Sequence, residues 1–154
     1  MNRKLIWSLI TILVLVVLGG AYFGFKGKQA LPTSEIKIGD QVFKVEVAED
    51  MMARARGLSG REKLDENQGM LFIFNYPGDY GFWMKDMKFG LDLVWIKENR
   101  VVGFAENVQP EPGKTVFGLT TYHPPEAVDK VLEVNAGTVG KYGFKIGDRV
   151  EFND

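Results

Sequence analysis

The sequence predicts a mainly β, β-rich α+β protein: one small barrel or sandwich of short strands with one or two short helices, behind an N-terminal transmembrane helix. Three observations predict it. Beyond residue 35 the chain breaks into segments of four to nine residues, alternating or apolar, each bounded by Gly, Pro, Asn or Asp, which is the signature of short strands. Residues 5 to 25, LIWSLITILVLVVLGGAYFGF, carry no charge over 21 positions, and a helix of about 20 apolar residues spans a bilayer core. The 154 residues include no cysteine, so burial of a core, and not disulfide stapling, must hold the domain together.

The elements follow in chain order. Residues 1–30 form the membrane segment, 31–35 a short linker and 36–154 the β-rich domain. Arg3 and Lys4 precede the apolar run and Lys26 and Lys28 follow it, so only the free α-amine tips the orientation towards an inside N-terminus. The aromatic continuation through Tyr22, Phe23 and Phe25 suits an uncleaved anchor at the outer interface. Gly19 and Ala21 supply the small-residue spacing of the alternative, a cleaved secretory signal. Both fates place the domain outside the cytoplasm: on a single-pass membrane anchor in the first case, secreted or periplasmic in the second.

EIKIGDQVFKVEVA reads as two alternating strands joined at Gly39-Asp40. EDMMARARG is a short helix, with acids at its start, Arg54 and Arg56 in its last turn and Gly57 as its stop. GMLFIF, GFWMK, LDLVWI, RVVGFAENV, KVLEVN and DRVEF read as further strands, with a helical turn over Ala136 to Tyr142. GDYG and PEPGK read as solvated turns.

Taken together, RARGLSGREKL, GMLFIF, FWMKDMKFGLDLVWI, VVGF, VLEVNAGT and GFKIGDRVEF resemble, in order and spacing, the prokaryotic family catalogued as domain of unknown function 192. The resemblance covers about residues 36–152. It implies a compact β-rich domain, often behind a signal or anchor segment, and brings no established activity with it. The chain departs from the family's usual pattern at Ser59, Asp86 and Gly90, where methionine, asparagine and proline are common, and in the TTYHPPEAVDK approach to VLEV.

Composition removes several function classes. All 20 acids and 15 of the 19 Lys and Arg lie beyond residue 30, leaving that part at −5. No basic face for nucleic acid is expected from that balance. With no cysteine and the single histidine His123, no nitrogen–sulfur metal site is expected. No cofactor is expected either, because the chain contains no P-loop or dinucleotide fingerprint. The serines are Ser8, Ser34 and Ser59, and GLSGR around Ser59 lacks the second glycine of a nucleophile elbow.

The candidate site lies in the most aromatic stretch, residues 69–96, which holds eight of the chain's 19 Phe, Tyr and Trp. In LDLVWI, Leu91, Leu93 and Trp95 share one side and Asp92, Val94 and Ile96 the other. Both sides are mainly apolar, so the strand is expected to be buried on both faces. Asp92 then needs an arginine, a lysine or backbone donors. Glu133 poses the same problem on a face with Val131 and Asn135.

Two readings of these residues compete. In the structural one, Asp92 pairs with an arginine of the short helix, Arg54 or Arg56, with Lys85 behind them, and pins helix to sheet. In the functional one, Arg56, Trp83, Lys85, Asp92 and Glu133 surround a largely apolar ligand pocket. The leading expectation is a non-enzymatic extracytoplasmic module, monomeric, that binds a small molecule, glycan or peptide. The first alternative is a small hydrolase or lyase using Asp92 and Glu133 as acid and base. The second is structural or partner-docking service in the envelope.

Overall fold

The computed structural model describes residues 30–153. The uncharged run, with the membrane helix expected from it, lies outside the described residues. Among those described, no helix is long and apolar enough to cross a membrane.

Seven strands form one sheet: β1 (Thr33–Ile38), β2 (Gln41–Ala48), β3 (Gln68–Gly78), β4 (Leu91–Lys97), β5 (Arg100–Val108), β6 (Val128–Asn135) and β7 (Val150–Asn153). Two short helices accompany them, α1 (Met51–Arg56) and α2 (Thr138–Tyr142). The order across the sheet is β5-β4-β6-β3-β2-β1-β7. Its two outermost strands meet at one end, where Arg100 bridges Arg149 and the Val101 N–H donates to the Asp148 carbonyl at 2.9 Å. The architecture is thus a half-barrel, not a sandwich of two sheets.

The β1–β2 hairpin turns at Gly39-Asp40 as the sequence predicts, with Gly39 at φ 57°, a conformation that glycine adopts without a Cβ penalty. α1 also has the ends written into its sequence. The Asp50 carboxylate accepts from the Ala53 N–H at 2.8 Å, and Gly57 closes the helix with its N–H on the Ala53 carbonyl. β2 and β3 pair in parallel, so the chain between them must cross over. That crossover carries α1 and the Gly57–Asn67 loop onto one face of the sheet.

Two apolar clusters cover the two faces. All seven strands contribute to the inner one, through Ile36, Phe43, Leu71, Val94, Val101, Leu132 and Val150. The outer cluster joins Met70, Phe72, Leu93, Trp95 and Val131 to Ala53 and Leu58. β4 is buried on both faces from Leu91 to Ile96, as its two-sided apolar pattern requires.

One expected strand is absent. Residues 81–85 hold only a single bridge, Phe82 to Tyr122. Phe82 packs edge-on against Phe72 and Trp95, with ring centroids 4.9 and 5.6 Å away. The segment therefore lies over the outer face as a cover instead of pairing within the sheet.

Candidate functional site

The register of the central strands decides which carboxylates can meet. β6 pairs with β4 so that Glu133 is opposite Leu93 and Val134 is opposite Asp92. Residues directly opposite share a face. Glu133 therefore stands on the outer face, in a row with Glu46, Met70 and Leu93, and Asp92 stands on the inner face. The two carboxylates share no cleft, which removes the acid–base pair on which the hydrolase reading depends.

Asp92 is fully buried and fully bonded. Its Oδ1 accepts from the Asn107 N–H at 2.8 Å and the Gly137 N–H at 3.1 Å, and its Oδ2 accepts from the Val139 N–H at 2.8 Å. The expected arginine partner is not there: neither Arg54 nor Arg56 reaches it. Backbone donors from β5 and the start of α2 satisfy the charge instead, and three such bonds are a strong substitute for an ion pair. Asp92 is a clamp between the central sheet and α2.

Glu133 is the opposite case. It is 6 % exposed, and its Oε2 is buried without a hydrogen-bond partner among the described residues. Burial pushes its carboxyl up to about 8, against a smaller downward pull from the positive charge of Arg61. Arg61 itself is held by Glu46 in a two-pronged pair, Nη2 to Oε2 at 2.8 Å. That contact keeps the Glu46 carboxyl below its ordinary range. Burial therefore favours the neutral form of Glu133 near neutral pH, and its Oε2 makes no hydrogen bond among the described residues.

A cavity of about 330 Å³ opens over Glu133. Phe72, Phe74, Tyr80, Phe82 and Trp83 supply its aromatic lining. Tyr80 stacks on Phe74 at 3.6 Å between centroids, and its hydroxyl donates to the Tyr76 carbonyl at 2.7 Å. Trp83 is 47 % exposed, whereas Trp95 belongs to the core. Arg54 and Arg56 approach from α1. The Arg54 guanidinium lies 5.2 Å from the Phe74 centroid and donates to the Ile73 carbonyl at 2.9 Å.

Of the five residues expected to line a pocket, the structure gathers Arg56, Trp83 and Glu133. Lys85 is elsewhere, paired with Asp86 and facing a second cavity beside Glu111 and Lys114. Asp92 is on the other side of the sheet. Sequence reasoning missed Tyr80 and Asp79, because GDYG has the composition of a solvated turn. It also missed the Glu46–Arg61 pair. The alternation of β2 hints at Glu46, which falls on the same side as Lys44 and away from Phe43 and Val45.

The comparisons agree with this architecture. The family profile of DUF192, Uncharacterized ACR, matches residues 34–152. The chain belongs to the DUF192 family. Two solved structures share the fold of this DUF192 domain. One is a candidate transcription regulator from Sinorhizobium meliloti 1021, 29 % identical, with a TM-score of 0.74 over 82 % of this chain and 98 % of that one. The other is a protein of unknown function from Novosphingobium aromaticivorans DSM 12444, also 29 % identical, with a TM-score of 0.72 over 81 % and 89 % of the two chains. No curated protein matches this DUF192 chain.

Proposed function

We propose that this protein is a non-enzymatic binding module, anchored in the membrane by residues 5–25 with its domain outside the cytoplasm, and that it holds a small molecule in the cavity over Glu133. One observation carries the reading. A buried carboxyl, pushed towards its neutral form and with its Oε2 unpartnered among the described residues, belongs to the lining of a cavity walled by aromatic rings. An unsatisfied buried polar group is unfavourable in an empty site, and a ligand hydrogen bond relieves it. Cavities of about 300–1,000 Å³, mostly apolar with a few converging polar groups, are typical of small-molecule sites.

The binding reading gains from what the site lacks. Asp92 and Glu133 lie on opposite faces of the sheet, the Asp79 carboxylate at the cavity is taken up by His123, and the Ser59 hydroxyl there is bound to the Lys85 carbonyl at 2.8 Å. One structural neighbour is described as a candidate transcription regulator. The balance of −5 beyond residue 30 lends no support to carrying a nucleic-acid role over.

The test is a thermal-shift screen of the full chain in detergent against small aromatic acids, amides and amines. At least one class should raise the melting temperature. The same compounds should shift the indole resonance of Trp83. Failure of every class to do either would overturn the reading.

A further inference from the structure

The cavity is asymmetric in charge. At its floor lies Glu133, whose buried Oε2 makes no hydrogen bond among the described residues and whose carboxyl burial pushes towards the neutral, donating form. At its rim are two guanidinium groups, and they are not equivalent. Arg54 is engaged by the Ile73 and Glu49 carbonyls and by the face of Phe74. Arg56 is exposed, and its side chain makes no hydrogen bond or ion pair with any described residue. The acid at the rim, Asp79, is occupied by His123, whose Nδ1 lies 2.7 Å from its Oδ1. With Glu133 neutral, two arginines against one aspartate leave the lining with one positive charge.

We infer that the ligand is a small amphipathic acid: a carboxylate pairs with Arg56 at the rim, an apolar ring packs against Phe72 and Phe82, and a carbonyl receives the proton of Glu133 at the floor. The inference rests on reading the cavity as a ligand site and adds the chemical class. A cation is disfavoured at both ends. It would have to pass Arg54 and Arg56, and at the floor it would meet the field of Arg61, whose charge reaches Glu133. A carboxylate at the floor gains a donor only while Glu133 keeps its proton, and it would leave Arg56 unused. The order of groups, acid outside and neutral acceptor inside, uses each protein partner once. The rings are set in advance, because Phe82 is fixed edge-on between Phe72 and Trp95, and a preformed wall avoids ordering losses on binding.

The same geometry makes binding pH-dependent. Glu133 is faced by Glu46 and Arg61 from β2 and the loop after α1, by Arg54 and Arg56 from α1, and by Asp79, just after β3, with its partner His123 from the segment before β6. Loss of the Glu133 proton removes the donor and places a negative charge beneath the bound acid. Affinity is therefore full below about pH 8 and falls as pH rises through it.

The experiment titrates the full chain in detergent with four probes and follows the Trp83 indole by NMR. The probes are β-benzoylpropionate, its primary amide, phenylbutyrate (which lacks the carbonyl) and the cationic β-aminopropiophenone. Benzoylpropionate should bind about tenfold more tightly than either the amide or phenylbutyrate. Arg56→Met should remove the advantage of the acid over the amide, the acid losing about tenfold and the amide less. Wild type should lose about tenfold in affinity for the acid between about pH 7 and 9, whereas Glu133→Gln, which keeps a donor and cannot ionise, should not.

Tighter binding of the aminoketone, or equal binding of acid and amide in wild type and Arg56→Met alike, overturns the inferred class and leaves the cavity as a ligand site. Silence of all four probes at millimolar concentration overturns both.

Discussion

Asp92 and Val139, 47 residues apart, are joined by a hydrogen bond of 2.8 Å from the Val139 N–H to the Asp92 Oδ2. With the Asn107 and Gly137 N–H groups on Oδ1, this bond ties α2 to the centre of the sheet. Asparagine at position 92 would keep one acceptor oxygen and turn an amide N–H₂ towards backbone donors. Asp92→Asn should therefore lose about 2–4 kcal/mol of stability, read by urea unfolding of the full chain. Combined with Arg56→Met, the losses should add to within about 0.5 kcal/mol, since the two residues share no partner. Strong coupling would contradict the backbone clamp.

Glu133 should make the protein less stable as pH rises. Its carboxyl titrates near 8 when folded and near 4.5 when free, so between those values the folded state holds a proton that the unfolded state has released. Stability then falls by about 1.4 kcal/mol per pH unit across that window and levels off above it. Below about 4.5 the penalty is absent. In Glu133→Gln the slope should vanish, as measured by unfolding at a series of pH values. A wild-type slope that persists in the variant would show that another group causes it.

Arg61 lowers the Glu133 carboxyl through its charge while bonding to Glu46. Arg61→Met should raise the Glu133 titration point further and return Glu46 towards the ordinary carboxylate range. The pair is about one-third exposed, so the stability loss should be modest, about 1 kcal/mol. Carboxyl NMR titration separates these effects, and an unmoved Glu133 would show that Arg61 does not reach it.

Gly69 is held by contact, not by its backbone angle. A Cβ there would lie 2.7 Å from the Glu133 carbonyl oxygen, and that oxygen belongs to the strand that carries the cavity floor. Gly69→Ala should cost about 1–3 kcal/mol and disturb the resonances of Glu133. Gly60→Ala is the comparison, a site where a Cβ meets open space but φ is +76°. It should strain the loop and leave Glu133 undisturbed.

The proposed topology follows from the 21 uncharged residues from 5 to 25. Protease added to intact spheroplasts should remove the domain. A protected domain would reverse the orientation, and a mature N-terminus at Tyr22 would favour the cleaved signal.

Much of this molecule is legible in its letters because the signals are local. Gly39-Asp40 makes its own turn, Asp50 and Gly57 bound their own helix, and six buried residues in a row from Leu91 to Ile96 mark a strand covered on both sides. The family resemblance, which spans nearly the whole domain, is legible for the same reason. The burial of Asp92 and Glu133 could also be read, since each sits among apolar neighbours. What answers each carboxylate could not. Parity assigns faces within one strand, but only the register between β4 and β6 puts Glu133 opposite Leu93 and turns Asp92 the other way. That register is fixed by hydrogen bonds between distant backbones, which leave no trace in side-chain identity. The donors of Asp92 are hidden for the same reason, because a backbone N–H belongs to every residue except proline. The sequence by itself determined the seven strands that form the sheet, the ends of α1 and the presence of two buried acids, but it also predicted a strand over residues 81–85 that does not form. The tertiary structure alone decided that one acid is a sealed clamp and the other a buried carboxyl beneath a cavity, its Oε2 unpartnered among the described residues.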